Sequence, residues 1–325
     1  TYIFLIKNKY NLINYKKYLK LKYIVVNIHN MFNDLCKLIF KDISNYLKFN
    51  INIINNNKSN SNDNNLNKII EDCDNSFITH IQTNKNIIGY ISKRTQKLIY
   101  FNDNDNDNNI KYIIAFSSLE GVINYESNLN CGSIYGIYSF DTTNNKIINI
   151  VDSGYTIYGI NNIMIYTENN NVKINILNGW NNFVSVKILN SKDSSSQENK
   201  LKIYSINNKH NDKEIEFLIR QYKINNYKLR YSGSLVVDTH NILLNSGIFY
   251  YPDGKINLIY QALPLAYIFK LCGGTCLNES YIDILDNTHL IDINNIKHTS
   301  SIIFLSQNEK YNFMELLKLY ETYKY

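Results

Sequence analysis

Apolar side chains recur three or four residues apart between Asn30 and Leu47, at Phe32, Leu35, Ile39, Ile43 and Leu47. That spacing gathers them on one face of a helix. The same period returns at Ile69, Ile70, Cys73, Phe77, Ile78 and Ile81 and predicts a second helix, followed by a strand-like run from Ile87 to Ile91. Residues 50–67 and 102–109 are mostly asparagine, serine and charge, too polar to contribute to a core, and are expected to be surface inserts. After Ile110 to Phe116 the pattern changes to short runs of isoleucine, valine and tyrosine. These lie at Ser133–Phe140, Lys146–Val151, Thr156–Tyr158, Asn162–Tyr166 and Val172–Ile176, separated by glycine or asparagine turns, and they predict a large sheet.

A shift of composition at residues 190–199 (NSKDSSSQEN) is the best candidate domain boundary. Beyond it, helices are predicted over Glu214–Tyr222, Ser234–Asn245, Pro264–Leu271 and Tyr311–Tyr323, and strands around Gly247–Tyr251 and Ile256–Tyr260. Gly273 and Gly274 suit the left-handed end of the helix that precedes them. The alternation predicts a layered α/β architecture. It divides into a basic N-terminal extension (1–29), an α/β domain over 30–190 that carries both polar inserts, and a second α/β domain over 191–325.

Composition adds less. The chain has 325 residues, 44% of them hydrophobic, enough for substantial cores. Its 28 tyrosines, two prolines and long asparagine runs mark a biased composition, so single asparagines carry little information. A formal net charge of +6 is compatible with an anionic partner. In the extension, Lys16, Lys17, Lys20 and Lys22 alternate with Tyr18, Leu19, Leu21 and Tyr23, a pattern suited to RNA contact, with ordinary solvated charge as the competing explanation. Five scattered cysteines give no disulfide framework and favour a reducing interior. Cys272 and Cys276 lack the second ligand pair of a zinc site. No apolar run reaches membrane-spanning length. No phosphate-binding loop and no dinucleotide fingerprint is present, and no histidine stands beside a recognisable nucleophile. The chain starts at Thr1, which leaves a preceding targeting segment as an open expectation.

Five blocks carry a resemblance to a known family: GSIYGIY (132–138), SGYTIYG (153–159), RYSGSLVVDTH (230–240), GIFYYP (247–252) and PLAYIFKLCGG (264–274). Together with KYIIAFSSLEGVINYE (111–126) they resemble, in order and spacing, class I fructose-1,6-bisphosphatase. The resemblance implies a layered sugar-phosphatase fold of alternating helix and sheet layers. It also implies removal of a sugar phosphate with divalent metal ions, which requires convergent carboxylates.

The acids of that chemistry are where this chain departs from the family. The family's V-S-E-E-D is similar to Ile91 to Thr95, so two metal-side glutamates match Lys93 and Arg94. Its F-D-P-L-D-G-S-S-N resembles Phe116 to Asn124. There the first aspartate matches Ser117, the carbonyl ligand Leu119, the second aspartate Glu120, and the two serines Val122 and Ile123. A further metal glutamate matches Gln261, and an acidic residue on the preceding helix matches Ile70. Asp72, Asp74, Glu126 and Asp238 are other acids within reach of the sequence argument. The phosphate-contact residues that the resemblance implies are better kept: Asn207, Arg230, Tyr231, Tyr251 and Lys255, with Arg230 reaching a neighbouring subunit in the family's dimer.

From these substitutions the expectation is a catalytically inactive protein without metal or cofactor. It would be a structural or interaction subunit of a larger protein assembly, a mitochondrial ribosome being the first guess and the cytoplasm the alternative location. A homodimer is a competitor. The alternative functional readings are a regulator that binds a sugar phosphate without turnover and a divergent metal-dependent sugar phosphatase.

Overall fold

The computed structural model describes residues 30–50, 62–101, 111–144, 146–189, 201–207, 212–286, 296–307 and 309–323. The basic extension, residues 51–61 of the first polar insert, the whole of the second and the boundary expected at 190–199 lie outside these residues.

Five layers alternate. The first holds α1 (residues 30–50) and α2 (Asn62–Ile81). Their periodic apolar positions, among them Phe32, Phe40 and Phe77, pack on one face of an eight-stranded sheet. That sheet runs in the order β2-β1-β3-β4-β5-β6-β7-β8. Its strands are β1 (Ile87–Ser92), β2 (Leu98–Tyr100), β3 (Lys111–Glu120), β4 (Cys131–Asp141), β5 (Lys146–Tyr158), β6 (Ile163–Glu168), β7 (Asn171–Leu177) and β8 (Phe183–Leu189). All neighbours are antiparallel except β1 and β3.

Alternation along β3 separates the two faces. Tyr112, Ile114 and Phe116 face the first helical layer, where Phe77 and Phe116 stack at 4.3 Å between ring centroids. Ile113 and Ala115 face a central layer made of α5 (Leu235–Leu244) and α6 (Leu263–Leu271). Both helices are apolar on most sides, as a helix between two sheets must be. A short α3 (Val122–Glu126) follows β3.

The second sheet lies beyond that central layer, in the order β10-β9-β11-β13-β12. It comprises β9 (Lys202–Ile206), β10 (Lys228–Leu229), β11 (Ser246–Asn257), β12 (Thr275–Leu277) and β13 (Thr299–Leu305). Its outer face is covered by α4 (Lys213–Ile224) and α7 (Glu309–Tyr323), through Ile215, Leu218, Tyr222, Phe313 and Leu316. The expected fold class is the observed one.

Two details differ from the pattern reading. Lys146–Val151 and Thr156–Tyr158 form one strand, β5, because Asp152, Ser153 and Gly154, which look like a polar break, are buried inside it. Ser153 N–H donates to Thr167 Oγ1 at 3.0 Å and Thr167 Oγ1 donates to Asp152 Oδ1 at 2.6 Å, so the Asp152 carboxylate and the Ser153 amide find partners within the sheet, while the Ser153 hydroxyl has none among the described residues. The strand expected over Ile256–Tyr260 stops at Asn257 and gives way to a π-helical turn, Leu258–Ala262. The Asn257 side chain accepts from Ile259 N–H (2.9 Å) and Tyr260 N–H (3.2 Å) and so caps the turn.

Candidate functional site

The β1, β3 and π-turn ends come together at one edge of the central layer. Gly121 directs the chain there: it takes φ 76°, ψ 45° between β3 and α3, and a Cβ on it would lie 2.7 Å from the Ser234 side chain. Glu120, the last residue of β3, is therefore turned inward and is buried. A single oxygen of its carboxylate, Oε1, receives three donors: Lys93 Nζ at 3.0 Å, Ser117 Oγ at 2.6 Å and Gln261 Nε2 at 2.7 Å.

The orientation of Gln261 follows from its neighbours. Its Oε1 accepts from Asn257 N–H at 2.9 Å, and a carboxylate on the other side needs a donor. The residue thus presents N–H, not oxygen, to Glu120. Its place inside a π turn rather than on a strand is what brings it there.

A second carboxylate lies beside the first. Asp74, fully buried on α2, accepts from Ser92 Oγ at 2.8 Å, from Ser118 Oγ and from Arg94 Nε at 3.4 Å. Arg94 also reaches Glu71 at 3.1 Å. Burial raises the Asp74 carboxyl above its ordinary pKa, and its serine and arginine donors oppose that shift. Asn67, Lys68, Ile70, Glu71, Lys93, Arg94 and Leu119 are among the residues around the cavity of about 560 Å³ in front of this acid.

Sequence reasoning singled out Asp74 only as a spare acid and did not consider Glu71. The missed signal was helical spacing: Ile70, which matches a family acid, lies four residues before Asp74, so both sit on one face of α2. Val122 and Ile123, expected to make the loop apolar, divide. Val122 is half-buried and borders the acid-side cavity, whereas Ile123 is 77% exposed.

The resemblance implies divalent ions here, and the donor set does not fit them. Hard cations need several oxygens with uncompensated negative charge. Glu120 already holds an ammonium, Asp74 and Glu71 share a guanidinium, and Gln261 turns its N–H inward. Among the described residues no group of three or more His, Cys, Asp or Glu side chains is placed to hold a metal.

The phosphate-contact residues are partly gathered. A cavity of about 360 Å³ is bordered by Tyr231, Tyr251 and Lys255 together with Lys93, Glu120 and Gln261. Burial, and then the nearby carboxylates, raise the pKa of both phenols; the Tyr251 O–H is hydrogen-bonded to the Asp253 carboxylate. Asn207 and Arg230 do not border it: Asn207 Nδ2 donates to Asp253 Oδ2 at 3.4 Å, and Arg230, exposed, donates to the Leu229 carbonyl at 2.8 Å. Asp238, at the cavity wall, accepts from Ser232 N–H at 2.8 Å. All five cysteines are buried and none forms a disulfide. No helix among the described residues is long and apolar enough to cross a membrane.

Alternating layers of two sheets and three helical tiers, with an acid cluster and a hydroxyl-lined cavity at one edge, define a sugar-phosphatase-type α/β protein. Residues 197–318 match the family described as fructose-1-6-bisphosphatase, C-terminal domain. The fructose-1,6-bisphosphatase class 1 of Helicobacter hepaticus is 30% identical over 225 residues, covering 66% of this chain and 76% of that protein. That of Persephonella marina is 34% identical over 193 residues, covering 54% of this chain and 58% of that protein. The holo-form crystal structure of Leishmania major fructose-1,6-bisphosphatase superposes with a TM-score of 0.69, covering 87% of this chain and 93% of that one at 22% identity, a likeness of fold. The chain belongs to the class I fructose-1,6-bisphosphatase family, as a divergent member.

The chain spans 54–64% of the length of three curated relatives that it matches, the Persephonella marina protein among them. The comparisons nevertheless correct the expectation of a non-enzyme and of a ribosomal or mitochondrial structural subunit. The relatives carry the name of an enzyme, and the substitutions at Lys93, Arg94, Ser117 and Gln261 are not by themselves a proof of inactivity.

Proposed function

We propose that this chain binds a phosphorylated sugar in the cavity bordered by Tyr231, Tyr251 and Lys255. The single observation that carries this reading is their convergence, from the segment after β10 and from β11, on one cavity that also contains Lys93. The ammonium groups of Lys93 and Lys255 and the Tyr231 hydroxyl suit a phosphate ester, with charge supplying attraction and the neutral O–H direction, while the carboxylates of Glu120 and Asp238 on the same cavity hold part of that charge. The curated relatives are named for fructose 1,6-bisphosphate, which makes that sugar and its monophosphate the first compounds to try.

Calorimetry of the full chain with fructose 1,6-bisphosphate and fructose 6-phosphate tests it. Saturable binding is expected, weakened about tenfold by Lys255→Met, the loss of one charge-assisted contact of roughly 1.5 kcal/mol. Absence of binding to either compound would refute the reading. A parallel assay of phosphate release, with Glu120→Gln as the control, decides whether binding is followed by hydrolysis.

A further inference from the structure

Lys93 borders both the acid-side cavity and the cavity of Tyr231, Tyr251 and Lys255, whereas Arg94 borders only the former. Its side chain is 45% exposed, against 6% for the Glu120 carboxylate that holds it. An ammonium has three donors and no acceptor. Glu120 takes one of them at 3.0 Å, which leaves the others to the space the side chain borders. Arg94 is committed differently, with contacts to Asp74 and to Glu71.

A divalent ion in this place would have to face anionic oxygens. The groups around Glu120 are the reverse: Ser117, Gln261 and Lys93 all donate to it. Positive charge is thus already built in beside the buried acid, on the cavity that both residues border.

We propose that Lys93 is the resident cation of this site: its ammonium, oriented by Glu120, contacts a phosphate group held by Tyr231, Tyr251 and Lys255, and that binding needs no divalent metal. The inference rests on the sugar-phosphate reading and adds to it the identity of the positive group. A lysine suits the role because it is a compact charge on a flexible stem that can keep one donor on Glu120 while offering the rest to an anion. Sugar phosphate and free phosphate share this chemistry, so both serve as probes.

The test is calorimetry of the full chain with fructose 6-phosphate and with inorganic phosphate, in buffer with a chelator and in buffer with magnesium. Affinities that agree within about twofold between the buffers are expected, with Lys93→Met at least tenfold weaker in both and Lys93→Arg recovering most of the loss. Lys318→Met, which removes one positive charge from α7, controls for net charge. Tighter binding of the sugar monophosphate than of phosphate assigns the site to a sugar ester; equal binding assigns it to free phosphate, and either agrees with the proposed cation. Binding that appears only with magnesium, or that Lys93→Met leaves unchanged, overturns the inference while sugar-phosphate recognition stands. Absence of binding by both probes in both buffers overturns both. Should Lys93→Met fail to fold, Lys93→Gln removes the same charge with a polar side chain and must show the same loss.

Discussion

Lys93, just past the end of β1, and Glu120, at the end of β3, form an ion pair at 3.0 Å in which the carboxylate is almost wholly buried and the ammonium is half in solvent. The pair joins two parallel neighbours of the sheet at the edge nearest the central helices. Ser117 and Gln261 complete the shell around the acid, so its charge is distributed over three donors and not over one.

Removing the cation should therefore destabilise the chain without unfolding it. Lys93→Met leaves Glu120 with two neutral donors, and exposure of the ammonium keeps the loss near 1–2 kcal/mol, below the full penalty of breaking a buried pair. Glu120→Gln in the Lys93→Met background should return part of that loss, because no uncompensated charge remains. Urea denaturation of the four chains in the double-mutant cycle reads the coupling; additive effects would mean that the pair is not energetically linked.

The same geometry makes a prediction about metals. Lys93→Glu with Arg94→Glu places new carboxylates against Glu120, Asp74 and Glu71. Like charges at these distances should lower the melting temperature, and a divalent ion that binds the folded form should raise it again by mass action. Manganese at about 100 times its dissociation constant would restore close to 3 kcal/mol. A melting temperature of the double variant that is indifferent to manganese would show that the site has lost more than the charge at these two positions.

Much of this was legible in the sequence, for identifiable reasons. The α1 and α2 faces follow from a period between three and four, and β3 and β4 from dense β-branched and aromatic runs. The substitutions at Lys93, Arg94, Ser117 and Gln261 were visible because each falls inside a block with an unmistakable neighbour pattern. Pairing was not visible. That Arg94 turns to Asp74 and Glu71, and that Gln261 turns its amide nitrogen inward, depends on the π turn and on α2 packing over β3. β2, β8, β10 and β12, which are edge strands, and β9 and β13, which are interior strands preceded by polar segments, have no counterpart in the pattern reading.

Gly121 offers a backbone test. Its left-handed φ of 76° is unfavourable for any residue with a Cβ, and the added methyl would meet Ser234 at 2.7 Å. Gly121→Ala should cost about 1–3 kcal/mol in denaturant unfolding, the range for strain at such a position. Adding Ser234→Ala relieves the contact but not the torsion, so only part of the loss should return. Full recovery would assign the whole effect to crowding, and no loss would mean that the turn after Glu120 is more adaptable than its geometry implies.

Asp238 and His240, two residues apart on α5, should make opposite contributions to stability in the same range of pH. Burial pushes the Asp238 carboxyl up from 3.8 to about 6, against the pull of the Ser232 and Gly233 donors. Burial pushes the His240 imidazole down from 6.5 to about 4; its Nδ1 lies 3.0 Å from the Tyr155 hydroxyl. For Asp238 the folded state holds the proton more tightly than the unfolded one. Its contribution is therefore fully present below pH 3.8 and is lost as pH rises to about 6. For His240 the folded state excludes the proton, so its contribution is present above pH 6.5 and is lost as pH falls to about 4. Each shift corresponds to about 3 kcal/mol, so between pH 4 and 6.5 the two slopes nearly cancel. Asp238→Asn should unmask the histidine: relative to the unsubstituted chain, the variant should gain stability as pH rises from 4.5 to 7.5, by about 2 kcal/mol. His240→Asn should do the opposite and gain relative stability as pH falls. Urea denaturation at four pH values across this range measures both, and a stability difference that stays constant with pH for either variant would show that its side chain does not titrate with the shifted value.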